Sequence, residues 1–252
     1  MQKHNLFYTE LFFDPSSFLH NGLNLIKILK IFDQKIKSKE SKTRKLRLLI
    51  GVSRMFGAEN TMNIINVILK CRSPYIIGID LGGKEKGYPA SNFSQVFKRA
   101  RENNLHVVAH AGEEVGPESI WSAIRDLRVE RIGHATSAYL DKNLIEYLHK
   151  TQIPLEICLT SSTITRAYVD SIESHPIEEY ITKGLMVTIN SDDPLIFNTD
   201  ITKEYILLYK KLNFSTDMIV KLIHNGINAT FLPEAEKNKW QRKITLLLKT
   251  NH

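Results

Sequence analysis

The chain is poor in cysteine: Cys71 and Cys158 are the only two in 252 residues. Two thiols in different structural units cannot form a disulfide framework, so both are read as reduced, buried residues of a cytoplasmic protein. Long apolar runs are missing as well. No stretch approaches the roughly 18–20 residues of a membrane helix. Met1 to Asn5 is short and polar, without the apolar core of a secretory leader. Gly82-Gly83 lacks the pattern of a phosphate-binding loop, and Ser161-Ser162 does not sit in a nucleophile elbow. There is no sequence repeat and no composition break that would mark a linker, so residues 1–252 are read as one domain.

Charge is present but lopsided. Lys and Arg total 34 against 27 Asp and Glu, a formal charge of +7. Much of the excess falls between Lys27 and Arg47. No aromatic residue interleaves with the basic ones after Phe32, and no nucleic-acid motif accompanies them. The stretch is therefore read as a solvated helix face and loop, and neither nucleic acid nor a membrane is expected as a partner. The oligomeric state is not legible.

What the sequence does have is alternation. Apolar strands are predicted at Leu6 to Phe13, Leu46 to Val52, Tyr75 to Leu81, Leu105 to Ala109, Arg131 to His134, Pro154 to Leu159 and Leu185 to Ile189. Helical spacing falls at Gly22 to Ile36, Ala58 to Leu69, Asn92 to Asn103, Glu118 to Leu127, Asp141 to Lys150 and Pro176 to Lys183. Lys37 to Lys45 reads as a polar loop. Three more helices follow: Ile201 to Leu212, Thr216 to Thr230 and Pro233 to Leu248. Unbroken apolar strands between helices predict an α/β fold with a parallel sheet covered on both faces. Seven strands are one short of a closed (β/α)8 TIM-type barrel, and the shortfall is placed at the first strand.

Three predicted strands end in chemistry. Val107-Val-Ala-His110 runs through Ala111-Gly112 to Glu113. Arg131-Ile-Gly-His134 is short and ends in His. Met186-Val-Thr-Ile-Asn-Ser-Asp-Asp193 ends in two carboxylates. In an α/β barrel the C-terminal strand ends carry the active site. His110 and Asp192 are ordinary zinc ligands, and a zinc ion there would activate water. Glu113 is placed to give or take a proton. His134 would hydrogen-bond the attacking water. Asp193 would either orient this group or touch substrate. Taken alone, a strand-end His is usually structural, and Asp-Asp-Pro is often a turn and helix cap. Recurrence at equivalent strand ends is what favours a site. His106, at the start of its strand, lies about 13 Å from His110 along the chain, and His4, His149, His175 and His224 are read as structural.

The motifs resemble the adenosine deaminase family and its adenine deaminase relatives. They are Glu10-Leu-Phe-Phe-Asp-Pro15, Gly78-Ile-Asp-Leu-Gly-Gly83, His110-Ala-Gly-Glu113, Gly116-Pro-Glu-Ser-Ile-Trp121, Glu130-Arg-Ile-Gly-His134, Leu155-Glu-Ile-Cys158, His175-Pro176 and Asn190-Ser-Asp-Asp-Pro194. The resemblance implies a metal-dependent hydrolase of the (β/α)8 kind that converts adenosine to inosine and ammonia in purine salvage. It implies one Zn2+ per chain, with His110 and Asp192 as ligands. Glu113 would protonate purine N1, His134 would position the water, Asp193 would meet N7 and the Gly83 backbone N3. The departures are specific. The family's first-strand His-x-His pair is absent, so zinc is expected to be weakly held and activity impaired. Lys84 stands where an acid is usual, Ala135 where a glycine follows the His, and Ser162 where an asparagine is usual. Two other readings stay open: deamination of adenine or another aminopurine, and a non-catalytic barrel remnant that binds a purine or a partner protein.

Overall fold

The computed structural model describes residues 1–249. Its seven strands are β1 (Tyr8–Phe13), β2 (Lys45–Ser53), β3 (Ile76–Gly82), β4 (His106–Ala111), β5 (Arg131–His134), β6 (Leu155–Ile157) and β7 (Val187–Ile189). They form one sheet in sequence order, and every pairing is parallel. Parallel neighbours need crossovers. These are supplied by α1 (Ser16–His20), α2 (Leu25–Lys39), α3 (Gly57–Cys71), α4 (Ser94–Glu102), α5 (Pro117–Ser122), α6 (Lys142–Thr151), α7 (Leu159–Thr165) and α8 (Ile177–Thr182). Three helices close the chain: α9 (Ile201–Lys211), α10 (Thr216–Ala229) and α11 (Glu234–Lys249). None of the helices in the described residues is long and apolar enough to cross a membrane.

The strands from β2 to β7 are largely apolar because both faces are covered, whereas β1, at an edge of the sheet, leaves Leu11 and Phe12 exposed. Leu48, Ile50, Ile79, Leu81, Val107, Ala109, Ile132, Leu155 and Val187 are buried and belong to one continuous core. The sheet curls, so that Glu10 of β1 meets Arg131 of β5 across its inner face. Among the described residues no ladder joins β1 to β7, and the two remain the sheet's edges.

All seven predicted strands are present. The differences lie in the helices. The helix expected over Gly22 to Ile36 is preceded by the short α1 and begins at Leu25, where the Asn24 side chain accepts from Lys27 N at 3.1 Å and caps it. It then runs to Lys39, into the expected loop. Leu159 does not end β6 but opens α7, which the continuous apolar run concealed. The helix expected from Glu118 to Leu127 is α5 followed by a π-helical turn, Ala123–Leu127. β4 continues two residues beyond Ala109, which brings His110 into the ladder opposite Gly133. The Asp141 cap on α6 is as expected: its carboxylate accepts from Asn143 N and Leu144 N.

Candidate active site

The C-terminal ends of the strands open on a cavity of about 540 Å³. His110, His134, Cys158, Asp192, Asp193 and Gly83 all line it. The residues picked from strand ends thus meet in one place. Asp193 is exposed at its rim.

His110 is held from two sides. Its Nδ1 lies 2.9 Å from Asp80 Oδ2, and the buried Arg54 donates from Nη2 to the His110 carbonyl at 2.7 Å. Burial opposes charge on the imidazole. Asp80, with Glu113 and Asp192 nearby, outweighs it, and the pKa is pushed up to about 10. Fixing Nδ1 leaves Nε2 as the atom able to take a ligand, the usual arrangement for a metal-binding His backed by a carboxylate. Gly133 packs beneath the ring: a Cβ there would lie 3.2 Å from His110 Cγ.

Glu113 reaches this group because the chain turns sharply after β4. Gly112 has φ +74, and a Cβ on it would strike Ile120 Cδ1 at 2.5 Å, so the position requires glycine. Glu113 Oε2 then lies 3.4 Å from His134 Nε2. Burial is the main reason the Glu113 carboxyl is raised to about 7, with Asp192, Glu85 and Glu114 adding to it and His110 opposing. Such a group carries its proton at near-neutral pH and can donate it. His134 is 2% exposed. Burial and the neighbouring His110 lower its pKa to about 3, so it is neutral. Its Nε2 is 3.9 Å from Asp192 Oδ2, while its Nδ1 is buried without a hydrogen-bond partner.

Backbone strain clusters here. His134, Ala135 and Asp192 have φ values of 61°, 52° and 52°, a left-handed region that non-glycine residues seldom occupy. Gly83, at φ +78, sits beside Ser53, whose Oγ would be 2.8 Å from a Cβ.

Three residues of the site escaped the sequence reading: Asp80, Arg54 and Cys158. Asp80 had a signal. An acid inside the buried run Ile76 to Leu81 needs a partner, and that partner is His110.

A family model described as adenosine deaminase matches residues 1–246. The chain belongs to the adenosine deaminase family. It is 35% identical to an aminodeoxyfutalosine deaminase of Streptomyces avermitilis over 240 residues, covering 94% of this chain and 67% of that protein. It is 39% identical to an adenosine deaminase of Vibrio cholerae over 199 residues, covering 79% of this chain and 59% of that protein. The chain therefore spans about two thirds or less of the length of these curated relatives. The crystal structure of an adenine deaminase from Arthrobacter aurescens superposes with a TM-score of 0.92 at 30% identity, over 96% of this chain and 74% of that one. The likeness confirms a TIM-type barrel of the amidohydrolase kind.

In this member of the adenosine deaminase family the expected departures have visible settings. Ala135 occupies the left-handed position where glycine would be unstrained. Ser162 is buried with its Oγ unpaired, and Lys84 is exposed beside Gly83. The donor chemistry suits a metal. Among the described residues, one nitrogen of His134, Cys158 Sγ and one Asp192 oxygen lie within 4.8 Å of one another. Nitrogen, sulfur and carboxylate oxygen together fit a borderline ion such as zinc.

Proposed function

We propose that the chain carries, as a single domain, the chemistry of a zinc-dependent purine deaminase, with adenosine as the substrate and inosine and ammonia as products. One observation supports this above the others. A carboxyl that holds its proton near neutrality, Glu113, stands 3.4 Å from a neutral buried imidazole, His134, which itself lines a pocket of metal-type donors. That pairing matches an acid that protonates a ring nitrogen while water attacks the adjacent carbon.

His110 Nε2 and Asp192 would hold the ion, and zinc supplies Lewis-acid activation of water when bound. Glu113 gives its proton to purine N1, which makes C6 electrophilic. His134 orients the water and accepts a proton from it. The water oxygen bonds to C6; His134 passes the water's proton to the amino nitrogen as the C6–N bond breaks and ammonia leaves, and the C6 hydroxyl proton returns to Glu113 as the 6-oxo product forms. Asp193, at the rim, receives N7. The Gly83 backbone, which no Cβ shields, receives N3. Asp80 and Arg54 keep His110 in place.

Release of ammonia from adenosine and adenine, and of methylamine from N6-methylated adenine nucleotides, each measured with zinc added, tests the reading. Turnover of adenosine above the other two supports it. Turnover of adenine alone reassigns the substrate. A pocket that binds purines without turning any over makes the chain a binding protein.

A further inference from the structure

The loop that carries Glu113 has an anchor that the functional reading leaves unused. Glu85, two residues past Gly83, is 5% exposed. Its Oε2 accepts from Glu114 N at 3.0 Å and from Val115 N at 2.7 Å, and its Oε1 accepts from Ser119 Oγ at 3.1 Å. The contact is returned: Glu85 N donates to Glu114 Oε2 at 3.0 Å. Residues 112–116 lie between β4 and α5 with no helix or strand of their own. Among the described residues, neither the Glu114 nor the Val115 amide donates to a backbone carbonyl. The Glu85 carboxylate therefore takes the place of secondary structure at the two residues after Glu113.

A buried carboxylate is often purely structural, as the two beside Arg131 are. Glu85 differs in what it grips. On the other side of the same loop, Ser137 N donates to the Gly112 carbonyl at 2.9 Å and Ser137 Oγ donates to the Val115 carbonyl at 3.2 Å. Glu113 thus lies between anchored neighbours, which fix its backbone where its side chain meets His134 Nε2 at 3.4 Å. The charge of Glu85 has a counterpart in Arg54, just past β2 and 1% exposed. Burial works against the Arg54 charge, and Glu85, Asp80 and Glu114 oppose that effect. Arg54 in turn donates to the Tyr88 carbonyl at 2.9 Å and to the His110 carbonyl at 2.7 Å. The loop of Gly83, the loop of Glu113 and the end of β4 are thereby joined into one unit.

We propose that Glu85 is a positioning residue for the general acid: it holds Glu113 at His134 by gripping the next two amides, and its return bond to Glu114 ties that loop to the loop of Gly83. The inference rests on the functional reading, in which Glu113 meets purine N1 and the Gly83 backbone meets N3. N1 and N3 stand two bonds apart on one rigid ring, so both contacts form together only if the two loops keep a fixed spacing. A misplacement of about an ångström at such a site costs about 10²-fold in rate. In this role Glu85 touches no reacting atom and acts through Glu113.

The test is steady-state deamination of adenosine by the 252-residue chain with zinc added, comparing Glu85→Asp with Glu85→Gln. Glu85→Asp keeps the charge opposite Arg54 but is one methylene too short to hold both amides. Glu85→Gln loses the charge but keeps an oxygen for the two backbone donors and an NH2 for Ser119 Oγ. Glu85→Asp should lower kcat by about 10²-fold with KM held within about twofold, and Glu85→Gln should lose about tenfold less. Measured on the residual turnover of Glu113→Gln, the Glu85→Asp loss should vanish, because it acts through a group already gone. Amide exchange at Glu114 and Val115 should quicken at least about tenfold in Glu85→Asp while the core strands stay protected. A greater loss in Glu85→Gln than in Glu85→Asp, or a Glu85→Asp loss that persists beside Glu113→Gln, overturns the inference and leaves the functional reading in place. Full turnover by Glu85→Asp does the same. Exchange quickened by Glu85→Asp in a chain whose unmutated form turns over no aminopurine ends the functional reading, and the role of Glu85 in it, while the clamp stands.

Discussion

Two clusters of buried charge lie inside the same curled sheet, and they are built to opposite rules. At one, Arg131 lies between Glu10 and Glu156, with Nε 2.9 Å from Glu156. Its Nη1 also donates to the Ala229 carbonyl, and Glu10 accepts from Phe231 N at 2.8 Å. The guanidinium covers the Phe231 ring at 3.9 Å. Burial opposes its charge, but the two carboxylates outweigh that and hold it protonated. At the other, His110, Glu113, His134 and Asp192 approach one another with long contacts, an orphaned imidazole nitrogen and strained backbone. Close pairing with opposite charge is what structure requires of buried charge, and Arg131 has it from two carboxylates even though its Nε makes no well-aligned hydrogen bond. Groups left unsaturated around a cavity are what chemistry requires. The difference separates scaffold from site without reference to any relative.

The sharpest way to break that contrast is Glu113→Gln. It preserves shape but removes the proton donor, so turnover should fall by about 10²–10⁴-fold while the thermal midpoint stays put. Arg131→Met should do the reverse. It strands two buried carboxylates and should cost about 3–5 kcal/mol in urea unfolding, before any effect on the site is considered. Asp80→Asn is expected to lie between these. It loosens the anchor of His110, and metal affinity, measured by competition with a chelator, should drop by roughly 10–100-fold. The smallest effect is that of pH. Burial raises Glu113 to about 7, and the acid form is the working one. Turnover should therefore be level below that value and decline above it, by about fivefold between pH 7 and 8. A decline with falling pH would mean that the carboxylate is the active form.

Much of this was legible in the chain itself. Most strands are predominantly apolar because both faces are covered, so their number and succession along the chain could be read directly. His110, His134 and Asp192 fall at the same end of their strands, where the cavity collects them, and Glu113 joins them through His134. What the sequence concealed depends on curvature. Asp80 and His110 are thirty positions apart, and Arg54 reaches His110 across a further strand. Cys158 resembles any thiol at the end of an apolar run until β5 and β7 bring His134 and Asp192 beside it. The split of the helix expected at Gly22 and the start of α7 at Leu159 were hidden by continuous apolar periodicity, which does not distinguish a strand's last residue from a helix's first.

The most direct test of the central claim, that the unsaturated cluster performs hydrolysis at a purine carbon, is turnover of adenosine in water enriched in oxygen-18 with zinc present. The account predicts ammonia and a product carrying one solvent oxygen at C6, formed by the unmutated chain and not by Glu113→Gln. Product without the label, or labelled product formed equally well by Glu113→Gln, would contradict it.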